Sequence, residues 1–267
     1  MNQGYNLYVA QQPEVPILLS VPHCGTRFPQ ELKDEYKSEF LQSLDDTDWF
    51  VDKLYGFAPS LGITMITANY SRWVIDLNRD PQSKPLYSDG RVITGLCPTT
   101  NFLGEPIYRD ERKEISAEET ARRVSHYYKP YHDALESELT RLHQKFGKVL
   151  LWDCHSIRQW VPSIHAQKFP DLILGNADGT SASAEIISEA VQTLQSAGYS
   201  FNHNHPFKGG YITRHYGQPH VHRHALQLEM SKVNYMDDFE TKYDEVRAGR
   251  MQVVLKNVLK RLIDTLR

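Results

Sequence analysis

Residues 16–25 read Pro-Ile-Leu-Leu-Ser-Val-Pro-His-Cys-Gly. An uninterrupted apolar run ended by Pro22 is the pattern of a buried strand. The chain then passes directly into His23. Residues 149–156, Val-Leu-Leu-Trp-Asp-Cys-His-Ser, repeat the design with His155. In open α/β sheets, ligands gather beyond the carboxyl ends of the strands. Two buried strands that each deliver a histidine to that edge point to an α/β fold with a site there.

The remaining pattern agrees with α/β, since short apolar runs alternate with longer helical periodicity. Strands are expected at Ile63–Ala68, Arg72–Leu77, Lys148–Trp152, Asp171–Leu174 and Ala225–Met230. Helices are expected at Asp45–Ser60, Ser183–Ala197 and Glu240–Leu266. Ser116-Ala117-Glu118-Glu119 is a capping box that opens a further helix to about Phe146, with a kink expected near Pro130. Gln82–Glu111, rich in Gly and Pro, reads as a long loop of the functional kind. No repeat or low-complexity tract divides the chain, so residues 1–267 read as one domain.

Composition narrows the function. Lys and Arg number 30 and Asp and Glu 33, a net charge of −3 without the basic excess of a general nucleic-acid binder. The 40% hydrophobic and 24% charged content is that of an ordinary globular chain. Three cysteines make no disulfide framework and fit a reducing, cytoplasmic setting. The first fifteen residues lack the basic and apolar regions of a signal peptide. No run approaches the roughly 18 apolar residues of a membrane span.

His23 and His155 are suitable ligands for one zinc ion, although hydrogen-bonded turn histidines would give the same pattern. A catalytic zinc usually takes three protein ligands, and Asp48 or Asp52, one helical turn apart, is the expected third. Acids at these positions also simply complement a helix N-terminus. Residues 71–80, Ser-Arg-Trp-Val-Ile-Asp-Leu-Asn-Arg-Asp, set Arg72, Asn78 and Arg79 together. This grouping suits a small acidic substrate, with ion pairs to Asp76 and Asp80 as the structural alternative. Glu229 sits on an apolar strand, where burial would raise its pKa and suit it to act as a general base. An ion pair with Arg72 or Arg79 is its other reading. Gly209-Gly210, followed by Tyr211, indicates a loop that approaches a ligand closely. His220, His222 and His224 alternate, so an extended chain would align them on one face as a second metal site or a solvated edge. Cys24 and Cys154 adjoin the two histidines in sequence, a poor arrangement for a nucleophilic dyad.

These segments together resemble the N-formylglutamate amidohydrolase family. The resemblance runs in order through residues 21–29 (VPHCGTRFP), 46–55 (DTDWFVDKLY), 71–80 (SRWVIDLNRD), 95–100 (GLCPTT), 153–156 (DCHS), 170–176 (PDLILGN), 209–217 (GGYITRHYG) and 225–230 (ALQLEM). It implies a zinc-carboxypeptidase-like three-layer α/β/α sandwich with a mixed central sheet. It also implies one zinc on His23, Asp48 and His155, and Arg72 polarising the scissile carbonyl. Asn78 and Arg79 would hold the substrate carboxylate, beside Gly210 and Tyr211, and Glu229 would serve as general base. In the wider superfamily the carboxylate ligand stands three residues after the first histidine. That place is Thr26 here, so Asp48 must come from further along the chain. The implied reaction is hydrolysis of N-formyl-L-glutamate to formate and L-glutamate. The alternatives are another N-acyl amino acid or short peptide as substrate, or a binding protein that keeps the pocket without turnover.

Overall fold

The computed structural model describes residues 4–43, 45–82 and 95–267. Residues 83–94 of the expected Gln82–Glu111 loop therefore lie outside the described residues.

Seven strands form one sheet: β1 (Tyr5–Tyr8), β2 (Ile17–Val21), β3 (Thr64–Ala68), β4 (Val149–Ile157), β5 (Leu172–Gly175), β6 (Phe201–His203) and β7 (Arg223–Ser231). Their order is β1-β3-β2-β4-β7-β5-β6. The central run β3-β2-β4-β7 is parallel, as is the edge pair β5-β6, whereas β1 pairs antiparallel with β3 and β5 antiparallel with β7, so the sheet is mixed. Both β2 and β4 are buried along their whole length. Central parallel strands covered on both faces have this apolar character.

The two-residue period of the strands sorts their side chains into two cores. Leu150, Trp152 and Cys154 of β4 join Leu226, Leu228 and Met230 of β7 beneath the helices Ala184–Gln195 and Glu245–Thr265. Val149, Leu151 and Ala225 face the opposite layer, whose helix Lys129–Phe146 contributes Tyr131, Leu135, Leu139 and Leu142. Helices thus cover both faces, giving the expected three-layer α/β/α arrangement. On that second face, Asp153 and His155 continue the row of β4, while Gln227 and Glu229 continue the row of β7. The register sets Asp153 opposite Gln227 and His155 opposite Glu229. One apolar face thereby turns polar at the carboxyl edge of the sheet.

Four expectations are corrected. Asp45–Ser60 is not one helix: only Val51–Leu54 is α-helical, followed by a 3-10 turn at Ala58–Leu61. Phe50 stands in the left-handed region at φ 61°, and the Asp48 amide donates to the His23 carbonyl at 3.0 Å. That tie holds the segment against the sheet edge instead of letting it coil. Arg72–Leu77 is a series of turns rather than a strand, with Trp73, Val74, Ile75 and Leu77 all buried in one core. Side chains replace ladder bonds there: the Trp73 amide donates to Ser71 Oγ and the Asn78 amide to Asp76 Oδ1. The strand expected to end at Trp152 continues to Ile157, so His155 is a strand residue. Finally, His220, His222 and His224 do not align. Pro219–Val221 forms a 3-10 turn and His222 adopts φ 59°, while buried His224 accepts from the Ser183 amide.

The Ser116 capping box opens the long helix as expected, with the Glu119 amide donating to Ser116 Oγ at 3.1 Å. At Val124–Tyr128 the helix widens into a π turn just before Pro130. Such a turn relieves the clash and the missing donor that proline would impose on a regular helix.

Candidate active site

His23, Asp48 and His155 meet at the carboxyl edge of β2 and β4, all three buried, with one ligand atom from each within 4.8 Å of the others. Asp48, not Asp52, lies with the histidines, because Asp48 precedes the short helix and its backbone is tied to His23. Asp48 Oδ2 is 3.1 Å from His155 Nδ1 and 3.7 Å from His23 Nδ1.

The opposite ring nitrogens are both committed. His23 Nε2 donates to Asp76 Oδ1 at 2.7 Å, and His155 Nε2 donates to Asp153 Oδ2 at 3.0 Å. An ionised carboxylate only accepts, so each Nε2 carries a hydrogen and each Nδ1 is turned toward Asp48. His23 Nδ1 is buried without a hydrogen-bond partner. Carboxylates that orient metal-ligating imidazoles in this way raise ligand basicity and fix the tautomer. Two imidazole nitrogens and a carboxylate oxygen form a donor set suited to a divalent ion such as zinc.

Electrostatics agree with a cation site. Burial alone would raise the Asp48 pKa, but hydrogen bonds and charge from His155 and His23 outweigh it and hold the carboxyl below the usual carboxylate range. Burial alone would likewise lower His155, yet Asp153 and Asp48 together push it well above the usual histidine value. The pocket thus stabilises positive charge, which a metal ion would supply in place of the proton.

Asp76 joins this centre to the basic cluster. It is fully buried, and besides His23 it accepts from Arg72 Nη2 at 2.6 Å and lies 3.9 Å from Arg79 Nη1. Burial acts to raise its pKa, but Arg72, Arg79 and His23 hold it well below the usual range. The Arg72–Asp76 ion pair weighed from the sequence is therefore present. It sets the Arg72 guanidinium beside the candidate metal-binding triad, over the Phe102 ring at 4.7 Å.

Asn78 is clamped on both sides. Its Oδ1 accepts from the Ile212 amide at 2.8 Å, and its Nδ2 donates to Asp153 Oδ2 at 3.4 Å. A Cβ on Gly210 would come within 2.3 Å of the Asn78 amide nitrogen, so the close approach requires glycine here. The Gly210 amide donates to Gln227 Oε1 at 2.8 Å. Tyr211 follows, with its amide on the Asn78 carbonyl and its hydroxyl 3.3 Å from His215 Nδ1. Arg79, partly buried, donates to the Asn78 carbonyl at 3.2 Å.

Glu229 lies across from His155 in the β4–β7 register. It forms no ion pair with Arg72 or Arg79 among the described residues; Gln227 Nε2 is its hydrogen-bond partner at 3.5 Å. Burial pushes its pKa up to about 8, against the lowering effect of His155. The thiols of Cys24 and Cys154 are also driven well above their usual value by burial, which leaves neither suited to nucleophilic chemistry.

The comparisons with known proteins bear on this arrangement. The family model of N-formylglutamate amidohydrolase matches residues 15–236. The chain belongs to the N-formylglutamate amidohydrolase family. An N-formylglutamate deformylase of Pseudomonas putida is 44% identical over 255 residues, covering 94% of each chain. Its counterpart in Pseudomonas aeruginosa is 44% identical over 253 residues, covering 93% of each. Among solved structures, an N-formylglutamate amidohydrolase of Ralstonia eutropha superposes with TM-score 0.82 at 27% identity, covering 99% of this chain and 98% of that one. A gene product of Agrobacterium tumefaciens, at TM-score 0.70 and 18% identity, covers 97% of this chain and 96% of its own and shares the fold.

Three residues of this family member's site went unassigned in the sequence reading: Asp76, Asp153 and Gln227. From sequence Asp76 reads only as an arginine partner, because its bond to His23 depends on a turn whose apolar pattern mimics a strand. Asp153 and Gln227 were readable in principle. Each sits two residues before an assigned site residue on the same strand, His155 or Glu229, and so must share its face.

Proposed function

We propose that this protein is a zinc-dependent amidohydrolase that hydrolyses the amide of an N-acyl acidic amino acid, N-formyl-L-glutamate above all, to formate and L-glutamate. The observation that carries the reading is the convergence of His23 Nδ1, His155 Nδ1 and Asp48, each imidazole backed by its own carboxylate. Family membership and the activity named for the Pseudomonas relatives support the choice of substrate.

In this mechanism His23, Asp48 and His155 hold the ion. A zinc ion there supplies Lewis acidity toward the acyl carbonyl and the attacking water. Glu229 takes a proton from that water and returns it to the leaving nitrogen. Its raised pKa keeps the proton affinity near the working pH, as general catalysis requires. Arg72, held in place by Asp76, stabilises the negative charge that develops on the acyl oxygen. Asn78 and Arg79 receive the substrate carboxylate, and Gly210 and Tyr211 close the pocket over it. The substrate is a small anion, which suits a pocket built around a cation and two arginines. The three free cysteines fit a reducing compartment, so we place the protein in the cytoplasm, with residues 1–267 as one catalytic domain.

The test is release of acid from a panel of substrates by the zinc-loaded protein: N-formyl, N-acetyl and N-succinyl glutamate, N-formyl neutral amino acids and short peptides. N-formyl-L-glutamate should give the highest kcat/KM. Preference for a different acyl group would reassign the substrate, and no hydrolysis of any member would leave a binding protein.

A further inference from the structure

A cavity of about 80 Å³, open to solvent beside the exposed Leu103 and Trp160, lies beyond the ends of β4 and β7, and nothing in the mechanism above uses it. Its walls include Asp46, Phe102, Ser156, Ile157, Val161 and Lys232. One water needs roughly 15 Å³ by the same kind of measure, so there is room for a group of several heavy atoms. The cavity adjoins the reaction centre through Arg72. Arg72 donates to the Asp46 carbonyl at 3.4 Å, and its guanidinium stacks over Phe102. Ser156 directly follows His155, and Lys232 directly follows β7. Asn78, Arg79 and Gly210 are absent from its walls.

Lys232 is the unusual feature. It is 2% exposed, and its Nζ donates to the Asp45 carbonyl at 3.1 Å, with no carboxylate in ion-pair range among the described residues. Burial pulls its pKa below the ordinary lysine value. Asp48, Glu240 and Asp46 offset its charge in part from outside ion-pair range, and the charged groups on the cavity wall have other direct partners. Arg158 pairs with Asp45, and the Asp46 carboxylate accepts from Trp73 Nε1 and the Phe102 amide. A buried ammonium with N–H groups to spare is costly unless an anion compensates it.

We propose that this cavity is the acyl-side subsite, and that Lys232 binds the carboxylate released from the acyl group. The inference rests on the amidohydrolase reading. Arg79 holds the amino-acid end and Arg72 the acyl oxygen, so the acyl group faces the Arg72 side. Hydrolysis breaks the C–N bond, transfers the water's hydroxyl to the acyl carbon and gives the leaving amine a proton. A neutral formamide group thereby becomes formate, a new anion one wall away from Lys232. The ammonium favours product over substrate in this cavity and draws formate off the reaction centre.

The test is binding of ¹³C-formate to zinc-loaded protein by NMR titration, which needs no turnover, with product inhibition by sodium formate measured in parallel. Lys232→Met should weaken formate tenfold or more, as expected for loss of a charge-assisted hydrogen bond. Val161→Phe, which fills the cavity and keeps the charge, should weaken it similarly, while Arg79→Ala should not. Unchanged formate affinity in both cavity variants would overturn the proposal, as would a loss in Arg79→Ala equal to theirs. A third arm separates the source of the carboxylate. If Lys232→Met raises KM for N-formylglutamate but not for N-formylnorvaline, Lys232 reads the substrate side chain and the acyl assignment is wrong. Failure of the hydrolase reading would appear separately, as no formate released by the unaltered protein.

Discussion

Asp76→Asn isolates the residue that couples the metal centre to the arginines. The substitution keeps shape and removes charge from a fully buried group with three close partners: His23 Nε2 at 2.7 Å, Arg72 Nη2 at 2.6 Å and the Asn78 amide at 2.9 Å. An asparagine oxygen can still accept from one or two of them, but it leaves Arg72 buried without its ion-pair partner. Breaking a buried pair from one side typically costs about 3–5 kcal/mol of stability. A large part of that should appear as a lowered Tm. Loss of a carboxylate behind a metal-ligating histidine typically costs about 10–100-fold in metal affinity, or roughly 1.4–2.8 kcal/mol. Zinc affinity would be measured by competition with a chromophoric chelator, and stability by thermal melting with and without zinc. Asp153→Asn should weaken zinc through His155, whereas Asp52→Ala should leave it unchanged. Wild-type zinc affinity in Asp76→Asn would show that His23 is held for the metal without its carboxylate.

Four further outcomes are expected. Glu229→Gln should lower kcat by at least about 10²–10⁴-fold with zinc still bound, as checked by kinetics and elemental analysis. The same variant should reveal pH linkage in the metal-free protein. A carboxyl whose folded pKa is raised to about 8 binds more protons folded than unfolded, so its contribution to stability declines as pH rises from its unfolded value toward 8. The Tm advantage of Glu229→Gln over wild type should therefore grow between pH 5 and pH 8, and a constant difference would contradict that burial. Arg79→Ala should cost about 2–5 kcal/mol, roughly 30-fold to several thousand-fold in kcat/KM, on N-formylglutamate, and little on its α-amide. Gly210→Ala drives a Cβ to within 2.3 Å of Asn78 and should destabilise the protein by about 1–3 kcal/mol, read by denaturant titration.

The parts of the site carried by regular strands were legible in the sequence. His23 and His155 follow from buried apolar runs, and Glu229 from the alternation of β7, because a two-residue period assigns faces without knowledge of tertiary contacts. The α/β class was legible for the same reason. The parts carried by irregular backbone were not. Asp48 could not be separated from Asp52 while the segment was read as a helix, since the left-handed Phe50 and the amide bond to His23 are set by packing. Asp76 lies where side chains, not a ladder, satisfy the backbone, and apolar residues on all sides of that turn mimic a strand. Lys232 gave no signal, because a lone lysine after a strand is ordinarily solvated and only burial within a cavity marks it.

The proposed mechanism requires one zinc on His23, Asp48 and His155 to hydrolyse N-formyl-L-glutamate. Metal-free protein titrated with zinc, with formate release followed at each addition, tests it most directly. Activity should rise from background and break at about one zinc per chain, with formate and glutamate released in equal amounts. Full activity before any zinc is added, or no formate release once the three-residue site is filled, would contradict it.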